Sequence, residues 1–208
     1  MTSSGGAANK SLVGFVVDAS LSMSSMFLSA ENKGLPRDTR QSKLELVKNF
    51  INTYMCMRCA DSKTIEFSVT TFGQDPTGNE NHCHELGAKD GYENVHELFN
   101  MCHPGQDIYQ LVQELQAGPA EGAADVIPAL IVAFDSLVSA HKKHLYNRVM
   151  VLVTDGEQEI TKSEDDFEDL KAVVGSAAVA DPDKTNKRGP VPIHVIMIGK
   201  CGSQQEQG

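Results

Sequence analysis

Two apolar runs of strand length, "SLVGFVV" over residues 11–17 and "RVMVLVT" over residues 148–154, are each followed directly by an aspartate, Asp18 and Asp155. Unbroken apolarity over such a length is the pattern of a strand covered on both faces, as in a parallel sheet wrapped by helices. Segments of helical period separate the apolar runs, and strands alternating with helices predict parallel pairing through right-handed crossovers. If the first strand is central, Asp18 and Asp155 end neighbouring strands whose connections leave to opposite sides. That is the switch point at which open α/β sheets form ligand sites. The expected architecture is therefore α/β and three-layered: a mainly parallel sheet in the order 3-2-1-4-5, one antiparallel edge strand, and helices on both faces.

The rest of the chain fits around this frame. From about Arg40 to Arg58, Leu44, Val47, Phe50, Ile51, Tyr54 and Met55 recur at helical spacing and predict an inward face. "TIEFSVTTF" alternates like a half-buried strand and stops at Gly73. The turn-rich stretch 73–91 reads as a surface excursion, and "YENVHELF" as a short edge strand. Helices follow near residues 107–116, with Asp107 as N-cap, and near 125–141, with Ile127, Leu130, Ile131, Phe134 and Leu137 inward. The acidic stretch 161–177 has a helical pattern whose run Glu164 to Asp169 suits a solvated face, 182–192 reads as linker, and "IHVIMIG" as the last strand. A length of 208 residues suits one domain, over 11–200, with a flexible arm at 1–10 and a tail at 201–208.

Composition narrows the function. A net charge of −10 disfavours gripping phosphate backbones, because that affinity comes largely from lysine and arginine displacing counterions. The sequence has no apolar run of about 18 residues and no secretory signal at its start, so no membrane role is expected. Five cysteines, Cys56, Cys59, Cys83, Cys102 and Cys201, suit free thiols in the cytosol or nucleus. Cys56-x-x-Cys59, with His82, Cys83, His84, Cys102 and His103, lacks the second C-x-x-C of a zinc module and reads as ordinary thiols and loop histidines. Met23, Met26, Met55, Met57 and Met101 read as core filler. No phosphate-binding G-x-x-x-x-G-K-[ST] and no G-x-S-x-G elbow occurs, and Ser20 stands where an aspartate-based phosphatase would place its second acid. An enzyme is not expected.

"DASLS" at residues 18–22 is a D-x-S-x-S pattern between a buried strand and a helix. It resembles the metal-ion-dependent adhesion site of the von Willebrand factor A family, in which a hard dication takes oxygen ligands of this kind. The resemblance implies a metal set of Asp18, Ser20, Ser22 and, from "VTDGE", Asp155. Setting "ADVIPAL" against the family pattern puts Ala124, beside Asp125, where a threonine hydroxyl belongs. Mg²⁺ binding is therefore expected to be weak or absent, at a vestigial site. The same side chains equally suit capping the first helix and tying loops together, and the sequence leaves both readings open.

A narrower resemblance lies in "GYENVHELF", "GAADVIPALIVAFDSLVSAHKKH" and "NRVMVLVTDGEQEI". These segments resemble the von Willebrand A-like N-terminal domain of larger (eighty-kilodalton) Ku subunits, over roughly residues 11–199. The resemblance implies a non-catalytic interaction domain in a nuclear complex for non-homologous end joining and telomere maintenance. The implied partners are the smaller Ku subunit and peptide motifs of repair or telomere proteins. DNA ends would be reached only through the full heterodimer, whose β-barrels hold the duplex. The alternative is a stand-alone von Willebrand A domain binding an acidic ligand through Mg²⁺.

Overall fold

The structure is a computed structural model that describes residues 10–27, 34–36, 39–73, 95–118, 126–139, 146–156, 168, 171–172 and 191–199. Five strands are formed by Lys10–Asp18 (β1), Ile65–Phe72 (β2), Val95–Cys102 (β3), Tyr146–Thr154 (β4) and Ile193–Met197 (β5). They make one sheet in the order β3-β2-β1-β4-β5. β1 pairs in parallel with β2 and β4, β4 pairs in parallel with β5, and β3 runs antiparallel along β2. Three helices are described: Lys43–Asp61 (α1), Gln106–Glu114 (α2) and Val126–Ser139 (α3).

β1 is central because both of its faces are apolar. Val13, Phe15 and Val17 join Leu44, Val47, Ile51 and Met55 of α1 and Ile108 and Val112 of α2 in one core cluster. Leu12 and Val16, on the other face, join Ala129, Val132, Phe134 and Leu137 of α3 in a second. Burying each large side chain of this kind is worth about 1.5–3 kcal/mol. Gly14 lets α3 close on β1, since a Cβ there would lie 3.3 Å from Leu137 Cδ1. Phe15 stacks on Phe67 at a centroid distance of 6.4 Å and meets Tyr54 edge-on at 5.7 Å.

α1 starts where its local chemistry dictates. The Ser42 side chain accepts the Glu45 N–H at 3.1 Å, and the charges of Glu45 in the first turn and Arg58 in the last complement the helix dipole.

Several expectations need correction. β2 is an interior strand and not a half-buried one: Ser68, Thr70 and Thr71 are fully buried, with β1 and β3 on either side and helices above and below. The Ser68 and Thr70 hydroxyls have no hydrogen-bond partner among the described residues. β3 extends to Cys102, beyond the expected Phe99. α2 is capped by Gly105, so Asp107 sits inside the first turn, where it still faces the positive end of the dipole. Phe50 is exposed, because the stripe Leu44–Val47–Ile51–Met55 takes the sheet-facing side of α1 and leaves Phe50 on its flank. Met23 and Met55 are core residues and Met101 is half-buried, but Met26 and Met57 are exposed.

Residues 1–9, the 74–94 stretch with its "GYEN", Ala124 and Asp125, the linker at 182–190 and the tail at 201–208 lie outside the described residues. Of the acidic stretch 161–177, Glu168, Lys171 and Ala172 are described as helical and exposed, and Lys171 pairs with Glu168 at 2.6 Å.

Candidate functional site

The parallel register brings the C-terminal ends of β1 and β4 side by side, with Val17 opposite Val153. Asp18 and Asp155 therefore end adjacent strands, as the sequence implied. Asp18 is wholly buried. Its Oδ1 accepts the Ser20 N–H at 2.9 Å, and its Oδ2 accepts the Thr154 hydroxyl at 2.9 Å. Thr154 Oγ1 in turn accepts the Gly156 N–H at 3.0 Å. On the neighbouring strand end, Lys43 Nζ donates to Asp155 Oδ2 at 2.8 Å, in an ion pair whose side chains are 9% and 0% exposed.

The loop after β1 carries the serines. Ser20 precedes a 3₁₀ turn at Leu21–Ser24, and the Ser20 and Ser22 hydroxyls bond to each other at 2.9 Å. Two backbone bonds hold this loop on the sheet edge: the Ala19 N–H donates to the Phe72 carbonyl, and the Gly118 N–H donates to the Ala19 carbonyl, both at 2.8 Å. Gly73, at φ +97°, is required where β2 ends, because a Cβ there would lie 2.8 Å from the Ser20 nitrogen. The start of α1 is tied to the same loop by the Lys43 N–H, which donates to the Ser25 carbonyl at 2.9 Å.

The four residues singled out from sequence are thus gathered at one end of the sheet, but they are engaged with different partners from those the motif suggests. Asp18 takes the backbone of Ser20 and the hydroxyl of Thr154. The serine hydroxyls take each other, and Asp155 takes Lys43. Sequence reasoning missed Thr154 and Lys43. Thr154 stood in plain view in "VTDGE". Lys43 did not, because 112 residues separate it from Asp155 and a lysine opening a helix reads as solvated.

A cleft of about 440 Å³ opens beside this site, between the start of α1 and the end of α2, and is lined in part by Ser24, Ser42, Glu45, Lys48, Glu114 and Leu115. The buried Lys48 ammonium donates to Glu45 Oε1 at 2.6 Å and to the Leu115 carbonyl at 3.2 Å, fixing the end of α2 against α1.

The cysteines lie elsewhere. Cys56 is exposed and Cys59 half-buried in the last two turns of α1, and Cys102 ends β3. Burial pushes the Cys59 and Cys102 thiols up from their ordinary range, so both are protonated at neutral pH and neither is primed as a nucleophile. His103 Nδ1 lies 3.1 Å from the Ile65 carbonyl, in hydrogen-bond contact. His82, Cys83, His84 and Cys201 lie outside the described residues.

No family model matches the sequence, and no curated protein does. Solved structures do match in fold. The VWA domain of SpRpn10 is 9% identical with a TM-score of 0.50, the match covering 91% of this chain and 89% of that one. Proximal thread matrix protein 1 from the mussel byssus is 15% identical with a TM-score of 0.51, over 92% of this chain and 38% of that one. An aerotolerance-related membrane protein from Bacteroides fragilis is 14% identical with a TM-score of 0.49, over 78% of this chain and 62% of that one. The match thus spans less than two thirds of the length of the latter two. Together with the 3-2-1-4-5 sheet and the helices around it, the likeness to the SpRpn10 domain establishes a von Willebrand A-like fold.

Proposed function

We propose that this chain is a non-catalytic protein-interaction module, the von Willebrand A-like N-terminal domain of a Ku larger subunit serving end joining and telomere maintenance in the nucleus. The observation that carries the non-catalytic part is the state of the switch-point acids. Asp18 is held by Ser20 and Thr154 and Asp155 by Lys43, so the carboxylates that an α/β enzyme would aim at a substrate are spent on the protein's own groups. Binding then falls to the loops and the neighbouring cleft, carried by a rigid sheet. The Ku assignment draws on the "GYENVHELF", "ALIVAFD" and "VTDGEQEI" segments. Its partners are the smaller Ku subunit and peptides of repair or telomere proteins.

On this reading the chain by itself binds DNA ends feebly and in a strongly salt-dependent way. It carries −10, and the ring that threads a duplex needs both full subunits. Fluorescence anisotropy with a labelled duplex at physiological salt measures this. Nanomolar, end-specific binding by the chain alone would contradict the proposal.

A further inference from the structure

We infer that Lys43 is the resident cation of the switch-point site, holding the place of the Mg²⁺ ion that the D-x-S-x-S pattern implies, so that the domain works without a divalent metal. This inference stands apart from the Ku assignment.

Two carboxylates buried at adjacent strand ends repel each other and are costly to keep charged unless a positive charge lies among them. Asp18 is 0% exposed and Asp155 8%. The Lys43 ammonium, 2.8 Å from Asp155 Oδ2, supplies that charge from within the chain. Its delivery is built into the local fold. Lys43 is the first residue of α1, Ser42 caps that helix, and the Lys43 N–H is fastened to the Ser25 carbonyl of the serine-bearing loop. The side chain therefore enters the site from a fixed root.

The oxygen atoms are engaged with the protein's own groups. Magnesium requires near-octahedral oxygen ligands at about 2.0–2.1 Å and gives up its waters reluctantly. Here both Asp18 oxygens accept protein donors, one serine hydroxyl donates to the other, and Asp155 Oδ2 accepts from the Lys43 ammonium. A dication taking Asp155 Oδ2 as a ligand would have to displace the Lys43 ammonium from it. The residues present do not fit the metal.

The test is calorimetric titration of Mg²⁺ into the wild-type chain and into Lys43→Ser and Lys43→Gln, with melting curves in Mg²⁺ and in EDTA. Lys43→Gln keeps bulk and a hydrogen-bond donor beside Asp155 if the smaller side chain does not fold. The wild type is expected to show no saturable binding below about 1 mM and no change in melting temperature. Whichever uncharged variant is folded by circular dichroism is expected to gain at least about tenfold in Mg²⁺ affinity and to melt higher in Mg²⁺ than in EDTA. Submillimolar binding by the wild type would overturn the inference. So would folded variants that gain nothing.

Discussion

Lys43→Ala is expected to lower the stability of the chain by about 3–5 kcal/mol, because it removes the ammonium that donates to the buried Asp155 carboxylate. Asp155 has a fully buried side chain and Lys43 is nearly so, which puts the pair well outside the regime of exposed salt bridges worth under about 1 kcal/mol. Urea denaturation checks it: the midpoint falls while the slope, which tracks the surface exposed on unfolding, stays constant. Replacing both partners, as Lys43→Met with Asp155→Leu, should recover most of the loss, since paired apolar groups of similar size are often no worse than a buried ion pair. A small effect of Lys43→Ala would mean that the ammonium is not the charge Asp155 depends on.

The second large effect belongs to the core. Phe15 is fully buried on β1, stacked on Phe67 and edge-on to Tyr54 and Phe50. It touches the sheet neighbour and α1 at once, so the site cannot easily collapse around a truncation. Phe15→Ala is expected to cost about 3–5 kcal/mol in the same denaturation experiment. The loss should come without any change in the partner-binding behaviour of the folded fraction, because Phe15 lies three residues before Asp18 and points into the layer between sheet and α1.

What the sequence disclosed followed from burial. A strand covered on both faces has to be apolar throughout, and β1 advertised this in seven residues. The central position of β1, its parallel neighbours and the adjacency of Asp18 and Asp155 all descend from that one fact. β2 misled because serine and threonine are small enough to be buried: Ser68, Thr70 and Thr71 looked like a solvent face and are fully enclosed. Phe50 misled because helical spacing marks a broad arc, and only packing against the sheet picks its centre. Gly105 in place of Asp107 as the cap of α2 is a shift of half a turn that propensity alone does not resolve.

The site was legible in its acids and serines and illegible in its wiring. Motif spacing places oxygen atoms near one another along a loop. It carries no information about a cation arriving from another element, and the Lys43–Asp155 pair is a contact between the start of α1 and the end of β4. The electrostatic clue is that a buried carboxylate is less costly with a positive charge beside it, and Lys43 brings one to Asp155.

The most direct test of the account is recovery of this protein, tagged at its own locus, from cell extract treated with nuclease and, in parallel, with EDTA. On the proposed Ku reading, the smaller Ku subunit is expected to co-purify in comparable amount under both treatments, independent of DNA and of divalent ions. Recovery without any smaller Ku subunit would contradict it.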